Sequence, residues 1–375
     1  MHDRKYFEDR EEKLLAPYAI KSKYSLGRVH PEAAPSNRTH FQRDRDRVKH
    51  SLAWKRLAGK TQVFVAGTGD HYRTRMTHTM EVAQIARHIA RMLDLNEDLV
   101  EVLADSHDLG HPPFAHSGQV ALEKLMLPHG GFEHNAQSKR IVEFLESKSA
   151  QYPGLNLAYE TLFGLMKHAG AEQIKSMIGA DQFYFPLEAE VVDLADEIAY
   201  NNHDLEDGLS SGLLSFDDIK TVPLWRTNIE RVQKANPGID EKNLRKALVS
   251  ELIGTQIIQV VENSLKNIEK FNFQNPQDAK KISADKIIAF DPSEYVSIAE
   301  CRKYLYQNFY FHPKVQGMNE RAEQIIAGLF KFYESHPEKL EFKGVPQAPF
   351  YRRLCDYIAG MTDGYAEKLY QKYCI

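Results

Sequence analysis

The stretch Thr79–Leu95, TMEVAQIARHIARMLDL, decides the fold class. Met80, Ala83, Ile85, Ala86, Ile89, Ala90 and Leu93 recur mostly at spacings of three and four, while Glu81, Gln84, Arg87, His88 and Arg91 fall largely elsewhere on the wheel. That pattern predicts an amphipathic α-helix. Directly after it, Asn96 offers a cap, and Glu97 and Asp98 offer first-turn acids, for a second helix. This one carries Leu99, Val102 and Leu103 toward His107 and stops at Gly110, Pro112 and Pro113. A third starts near Pro186 and carries Val191, Val192, Leu194, Ala195, Ile198 and Ala199. Further helices are expected at 134–147, 157–178, 240–270, 293–311, 318–335 and 349–373, whereas strand signals are weak and confined to Gln62–Ala66 and Ile282–Phe290. The chain therefore reads as all-α, with carboxy-terminal helices packing onto one main helical domain. Residues 1–35, polar and interrupted by Pro17, Pro31 and Pro35, read as an irregular arm, residues 36–210 as the core, and 211–375 as a helical extension.

The 375 residues are 42% hydrophobic and 27% charged, with 48 basic and 52 acidic side chains, the composition of a globular protein. No apolar run is long enough to span a membrane, and the amino terminus lacks the apolar core and cleavage site of a secretion signal. Cys301, Cys355 and Cys374 form no C-x-x-C pair, which argues against a disulfide framework or a thiolate metal site and fits a reducing compartment. The expected location is the cytoplasm. Although the net charge is −4, Ser36–Lys60 holds Arg38, Arg43, Arg45, Arg47, Lys49, Lys55, Arg56 and Lys60 against Asp44 and Asp46. Such a local excess is expected to attract an anion, most simply phosphate.

Nine of the 16 histidines fall between His50 and His134. The stretch Asp105–Gln119, DSHDLGHPPFAHSGQ, places His107, Asp108, His111 and His116 within ten residues. Burying groups this dense would be destabilising unless they were paired or liganded. His107 and Asp108 end one helix, His78 begins an earlier one, and Asp196 lies inside a later one. Two imidazoles and two carboxylates without a thiolate suit one octahedral divalent ion (Mg, Mn, Fe or Co) better than structural zinc. On the later helix, Asp196, Tyr200 and Asp204 recur every four residues, each displaced by about 40° from the last, and form a strip leading away from the metal position.

Five blocks now carry a resemblance. They are FQRDRDRVKHSLAWKRLAGKTQVF (Phe41–Phe64), RMTHTMEV (Arg75–Val82), HDLGHPPFAHSG (His107–Gly118), FEHNAQS (Phe132–Ser138) and DLADEIAYNNHDLEDG (Asp193–Gly208). In this order they resemble the HD-domain superfamily of metal-dependent phosphohydrolases, and more closely its dGTP and related dNTP triphosphohydrolases. The resemblance implies an all-α HD fold over 36–210, removal of the whole triphosphate from dGTP or other dNTPs, and a homo-oligomer, up to a hexamer. It assigns His78, His107, Asp108 and Asp196 to the metal. It also implies His116 as the acid or its orienting group, with His111 and His134 against phosphate. Tyr200 and Asp204 are implied at the deoxyribose, and Arg75, which matches a family arginine, at phosphate; Arg43, Arg56 and Lys60 are further candidate cations for it. NFYFHPKV (Asn308–Val315) is similar to a family segment that reaches the triphosphate, which brings in Tyr310, His312 and Lys314.

One position departs from the family. Where a carboxylate is usual three residues past the final histidine, this chain has Gln119, and an amide neither exchanges a proton at neutral pH nor holds a charged histidine as a carboxylate does. Glu123, one turn further on, is an alternative acid. An HD phosphohydrolase acting on another nucleotide, and a catalytically weakened module that senses nucleotide or binds nucleic acid, therefore stay open. So does an effector role for a second nucleotide or single-stranded DNA.

Overall fold

A computed structural model describes residues 2–62, 73–166, 184–281, 286–340 and 347–375. Among these residues helices are the regular elements, and β pairing is limited to isolated bridges such as Thr61 with Thr74. In chain order the helices are α1 Arg4–Leu14, α2 His40–Lys49, α3 Leu52–Arg56, α4 Arg75–Met92, α5 Glu97–His107, α6 Ala115–Met126, α7 His134–Arg140 and α8 Tyr159–Leu165. They continue with α9 Leu187–Ser210, α10 Phe216–Ile219, α11 Pro223–Ala235, α12 Glu241–Lys270, α13 Pro292–Leu305, α14 Pro313–Ser335, α15 Phe350–Ala359 and α16 Asp363–Tyr373. The molecule is all-α. No helix among the described residues is long and apolar enough to cross a membrane.

Helix α4 forms where the periodicity placed it, and it starts with a reciprocal cap: Thr74 Oγ1 accepts from Thr77 N at 3.3 Å and Thr77 Oγ1 accepts from Thr74 N at 3.1 Å. Its buried stripe is Val82, Ala83, Ile85, Ala86, Ile89 and Ala90, while Met80, expected inside, is 56% exposed. Asn96 caps α5 by accepting from Leu99 N at 3.1 Å. Helices α4, α5 and α9 pack on one another, and their apolar faces fuse into one core that also takes Ile257, Val260, Val261 and Ile268 from α12. A second core joins Phe114, Leu122 and Met126, on and beside α6, to α14, α15 and α16. A third gathers the end of α9 (Leu205, Leu209) with α11, α12, α13 and Phe309.

Three expectations are corrected. Residues 4–14, read as part of an irregular arm, are helical: Asp3 caps Tyr6 N at 2.9 Å, and a run of Arg, Lys and Glu favours helix although no side chain on it is fully buried. The helix expected over 349–373 is two, parted at Gly360 and restarted by Thr362, whose hydroxyl caps Tyr365 N. Residues 286–290 form no strand, because Glu190 Oε2 takes the N–H groups of Ile287 (3.0 Å) and Ile288 (2.9 Å). The expected strand residues 63–66 and 282–285, and positions 167–178 of the helix expected at 157–178, lie outside the described residues.

The basic segment is not a free anion-binding surface. Arg43 and Arg47 pair with Glu32 (Arg47 at 2.7 Å), Arg38 pairs with Asp46, Arg45 with Asp98 (2.7 Å), and Lys49 with Glu101 (2.6 Å). Arg43, Arg45, Arg47 and Lys49 are thus neutralised by acids that lie outside the segment.

Glu188, on the first turn of α9, is fully buried, and its Oε1 accepts from Ile20 N (2.9 Å) and Asn96 N (3.3 Å). Burial, only partly opposed by those hydrogen bonds, raises its carboxyl to about 7. A raised folded pKa makes the neutral form the stable one, so Glu188 costs stability progressively as pH rises from its unfolded value near 4.5 to about 7. Glu188→Gln keeps the accepting oxygen without the charge. Urea unfolding should show the variant close to the parent at pH 4.5 and more stable at pH 8, by roughly 3 kcal/mol from the linkage relation. An equal difference at both pH values would contradict this.

Candidate active site

Three helices converge on one point. The first turn of α4 supplies Arg75 and His78, the last residue of α5 is His107 with Asp108 as its C-cap, and the third turn of α9 supplies Asp196. His78 Nε2 lies 2.9 Å from Asp196 Oδ1, and His107 Nε2 lies 3.8 Å from the same oxygen and 3.3 Å from Asp108 Oδ1. One ligand atom from each of His78, His107 and Asp196 falls within 4.8 Å of the others. Asp108 stands beside this trio: its Oδ2 accepts from Arg75 Nη1 at 2.7 Å, and its Oδ1 is 3.0 Å from His111 Nδ1.

The donor set fits a divalent cation. His107 Nδ1 lies 2.6 Å from Ala104 O, and donation to that carbonyl leaves Nε2 as a bare lone pair. Nε2 is buried without a hydrogen bond and faces two carboxylates. Burial opposes the charged form of Asp108, but His107, Arg75 and His111 outweigh it and hold the carboxyl well below its usual range. Burial alone would depress His107, yet Asp108 and Asp196 raise it. His111 goes the other way: burial and the nearby Arg75 push it down to about 3, so its ring is neutral at pH 7.

The loop between α5 and α6 is tightly built. A Cβ on Gly110 would sit 2.0 Å from His134 O and 2.3 Å from Ser138 N, so only glycine lets this turn lie against α7. Phe114 (φ 65°) and Ala115 (φ 54°) both adopt the left-handed region, a strained pair that needs outside support. Asp363, the first residue of α16, supplies it: Oδ1 accepts from Phe114 N at 2.9 Å and Oδ2 accepts from Thr61 N at 3.0 Å. Lys60 secures the other end, donating to His111 O (2.5 Å) and Ala359 O (2.8 Å). Lys60 was expected at phosphate. It is instead a buried tie between the loop and α15, with burial and Arg75 lowering its ammonium to about 7. Arg43, also expected at phosphate, pairs with Glu32 and Ala33 O and does not line the cavity.

A cavity of about 570 Å³ opens from the trio. Arg75, His111, His116, Gln119 and His134 line it, as do Tyr200, Asp204 and Tyr310. The rings of His111 and His134 are 4.0 Å apart, and His134 Nδ1 is 3.0 Å from Glu133 Oε1. Tyr310, on a π turn over Tyr306–Tyr310, donates its hydroxyl to Asp204. Burial raises Asp204 to about 7 against that hydrogen bond. His312 and Lys314 do not line the cavity, and Glu123, the alternative acid, is exposed on α6 and lies outside it.

Family models match the chain over residues 75–201 (HD domain) and 288–372 (phosphohydrolase-associated domain). A deoxyguanosinetriphosphate triphosphohydrolase-like protein of Geobacter metallireducens is 41% identical over 371 residues, covering 96% of each chain. Proteins of the same description from Leptospira interrogans and Azoarcus sp. are 42% and 41% identical, over 96% of this chain and 97% and 96% of theirs. The chain belongs to the deoxyguanosinetriphosphate triphosphohydrolase-like family. It is an HD-domain phosphohydrolase. A solved structure of a hypothetical protein from Aquifex aeolicus aligns at TM-score 0.40 with 17% identity, over 88% of this chain and 68% of that one.

Within this triphosphohydrolase-like chain, the HD match holds His78, His107, Asp108 and Asp196, and the associated domain holds Tyr310 and Asp363. Several residues at or beside the site were missed in the sequence reading. Gln62, Asn135, Ser138 and Asp193 line the cavity, and Ser138 Oγ accepts from Gly110 N at 2.8 Å while donating to His107 O at 2.9 Å. Asn135, Ser138 and Asp193 sat inside the quoted blocks, where a polar residue beside a ligand was the available signal. Asp363 carried no such signal.

Proposed function

We propose that the chain hydrolyses deoxynucleoside triphosphates, dGTP or others, to a deoxynucleoside and tripolyphosphate, using one divalent ion (Mg, Mn, Fe or Co) held by His78, His107 and Asp196 with Asp108 beside them. The observation that carries the reading is what one cavity brings together: the metal donors, a buried guanidinium, three imidazoles and a Tyr–Asp–Tyr group all line it. When bound, the ion would polarise an α-phosphate oxygen and lower the pKa of a bound water.

The chain's own residues then have distinct tasks. Arg75 is fixed through Asp108 by one arm, and its Nε is buried without a hydrogen bond, which leaves donor capacity for a phosphate oxygen. His111, neutral and with its ring tilted against that of His134, can donate a hydrogen bond to phosphate but carries no proton to give away at pH 7. His116 and His134 are the candidates for protonating the departing 5′-oxygen, and of the two His134 has the adjacent carboxylate, Glu133. Tyr200, whose hydroxyl is 3.4 Å from Arg302 Nη1, would pack where a ribose 2′-hydroxyl would sit, and Asp204 would take the 3′-hydroxyl.

Gln119 favours a second reading, a site that binds nucleotide with little turnover, because it lines the cavity where the family usually has a carboxylate. Product analysis separates the two. Metal-loaded protein incubated with each dNTP, each NTP and each monophosphate should release tripolyphosphate from dNTPs alone. Orthophosphate from monophosphates would replace the proposal with a monophosphatase, and tight dNTP binding without product would favour the second reading.

A further inference from the structure

We infer that His203 and Glu81 form a positioning relay that fixes which nitrogen of His78 faces the metal ion, an inference that rests on the metal-dependent reading above. Four side chains stand in a row. Glu81 Oε2 is 3.0 Å from His203 Nε2, His203 Nδ1 is 3.3 Å from His78 Nδ1, and His78 Nε2 is 2.9 Å from Asp196 Oδ1. Both rings are almost fully buried, so water has little access to the His78–His203 contact.

Each of the three contacts needs one proton to be a hydrogen bond, and two neutral imidazoles carry two. One contact must therefore lack a proton. Arg73 decides which. Its Nε lies 2.9 Å from Glu81 Oε2, and Glu206 and Asp207 hold its other nitrogens at 3.0 Å and 3.3 Å, so Glu81 is a fixed anion and accepts from His203 Nε2–H. His203 Nδ1 is then a lone pair and accepts from His78 Nδ1–H. The contact left without a proton is the one between His78 Nε2 and Asp196.

A bare nitrogen facing a carboxylate oxygen is repulsive unless a cation lies with them. His107 reaches the same state by a local route, because its Nδ1 donates to Ala104 O. Both imidazoles thus present Nε2 lone pairs to one point beside Asp196. Metal-bound histidines are commonly held this way by a carboxylate or carbonyl on their other nitrogen. Here a second histidine carries the carboxylate's influence across the α4–α9 contact. His78 and Glu81 are both on α4, and Asp196 and His203 are both on α9, so the packing of the two helices sets the whole row.

Equilibrium binding of Mn²⁺ to the full-length protein tests this, alongside thermal unfolding of each metal-free variant. His203→Leu removes the acceptor while filling the space, and should weaken Mn²⁺ binding roughly 10- to 100-fold, the range for lost outer partners of a metal-bound histidine. His203→Asn places an amide oxygen near the position of Nδ1, still accepts from His78 Nδ1–H, and should stay within about threefold of the parent. Glu81→Ala should weaken binding in the same direction as the leucine variant, with thermal unfolding of the metal-free protein reporting the stability lost with the Arg73 and His203 contacts. Unchanged affinity in His203→Leu or Glu81→Ala would overturn the relay while leaving the metal-dependent reading intact, as would equal losses in the leucine and asparagine variants, which would reveal a packing role only. A parent protein that binds no Mn²⁺ would overturn the metal-dependent reading and the relay with it.

Discussion

Asp196→Asn is expected to abolish both metal retention and turnover while leaving the fold in place. Its carboxylate is the anionic member of the trio, 2.9 Å from His78 Nε2 and 3.8 Å from His107 Nε2. Asparagine keeps the shape and removes the charge, so two neutral nitrogens and an amide oxygen would remain to hold a dication. Losing the ion's stabilisation of the transferred group should lower kcat/KM roughly 10³- to 10⁴-fold, about 4–5.5 kcal/mol. Metal analysis of the purified variant and single-turnover kinetics check both halves. Turnover near that of the parent, with metal content unchanged, would remove Asp196 from the site.

The second large effect is a gain. Gln119 lies one turn beyond His116 on α6, and both line the cavity. Glutamate at 119 would supply an anion that stabilises a protonated His116, the state from which the departing 5′-oxygen can take its proton. Gln119→Glu should raise kcat roughly tenfold to a hundredfold, within the usual range for general acid–base help, with KM little changed. Comparison of kcat and KM for one dNTP across pH 5.5–8.5 reads this directly. An unchanged rate would show that position 119 does not limit the chemistry and would point to the Glu133–His134 pair, whose 3.0 Å approach already joins a carboxylate to an imidazole in the cavity.

Much of the fold was legible because helices announce themselves locally. The three- and four-residue spacing over Thr79–Leu95, the Asn96 cap and the apolar positions after Pro186 each concern neighbours within one or two turns, and they produced α4, α5 and α9. The same local logic brought out His107 with Asp108, and Asp196 with Tyr200 and Asp204, all of which line one cavity. Helix α1 escaped because its sequence has no apolar stripe to read, only a cap and favourable propensity.

What the sequence hid was pairing over distance. Sign of charge is visible in Arg43, Arg45 and Arg47, but their partners Glu32 and Asp98 are set by how α2 packs on α5 and on the preceding loop. Lys60 looked like one more cation, yet its carbonyl partner Ala359 is 299 residues away. Tyr310 reaches Asp204 across 106 residues, and Asp363 reaches Phe114 across 249. The Glu81–His203 row was hidden for the same reason: each member sits on a helix whose periodicity was clear, but only the α4–α9 contact aligns them.

Anomalous diffraction from crystals of the protein grown with Mn²⁺ is the most direct measurement. The expected result is one strong peak per chain within bonding distance of His78 Nε2, His107 Nε2 and an Asp196 oxygen, with Asp108 in contact or one water away. A protein that takes up Mn²⁺ at another position, leaving those three side chains without a peak between them, would contradict the account.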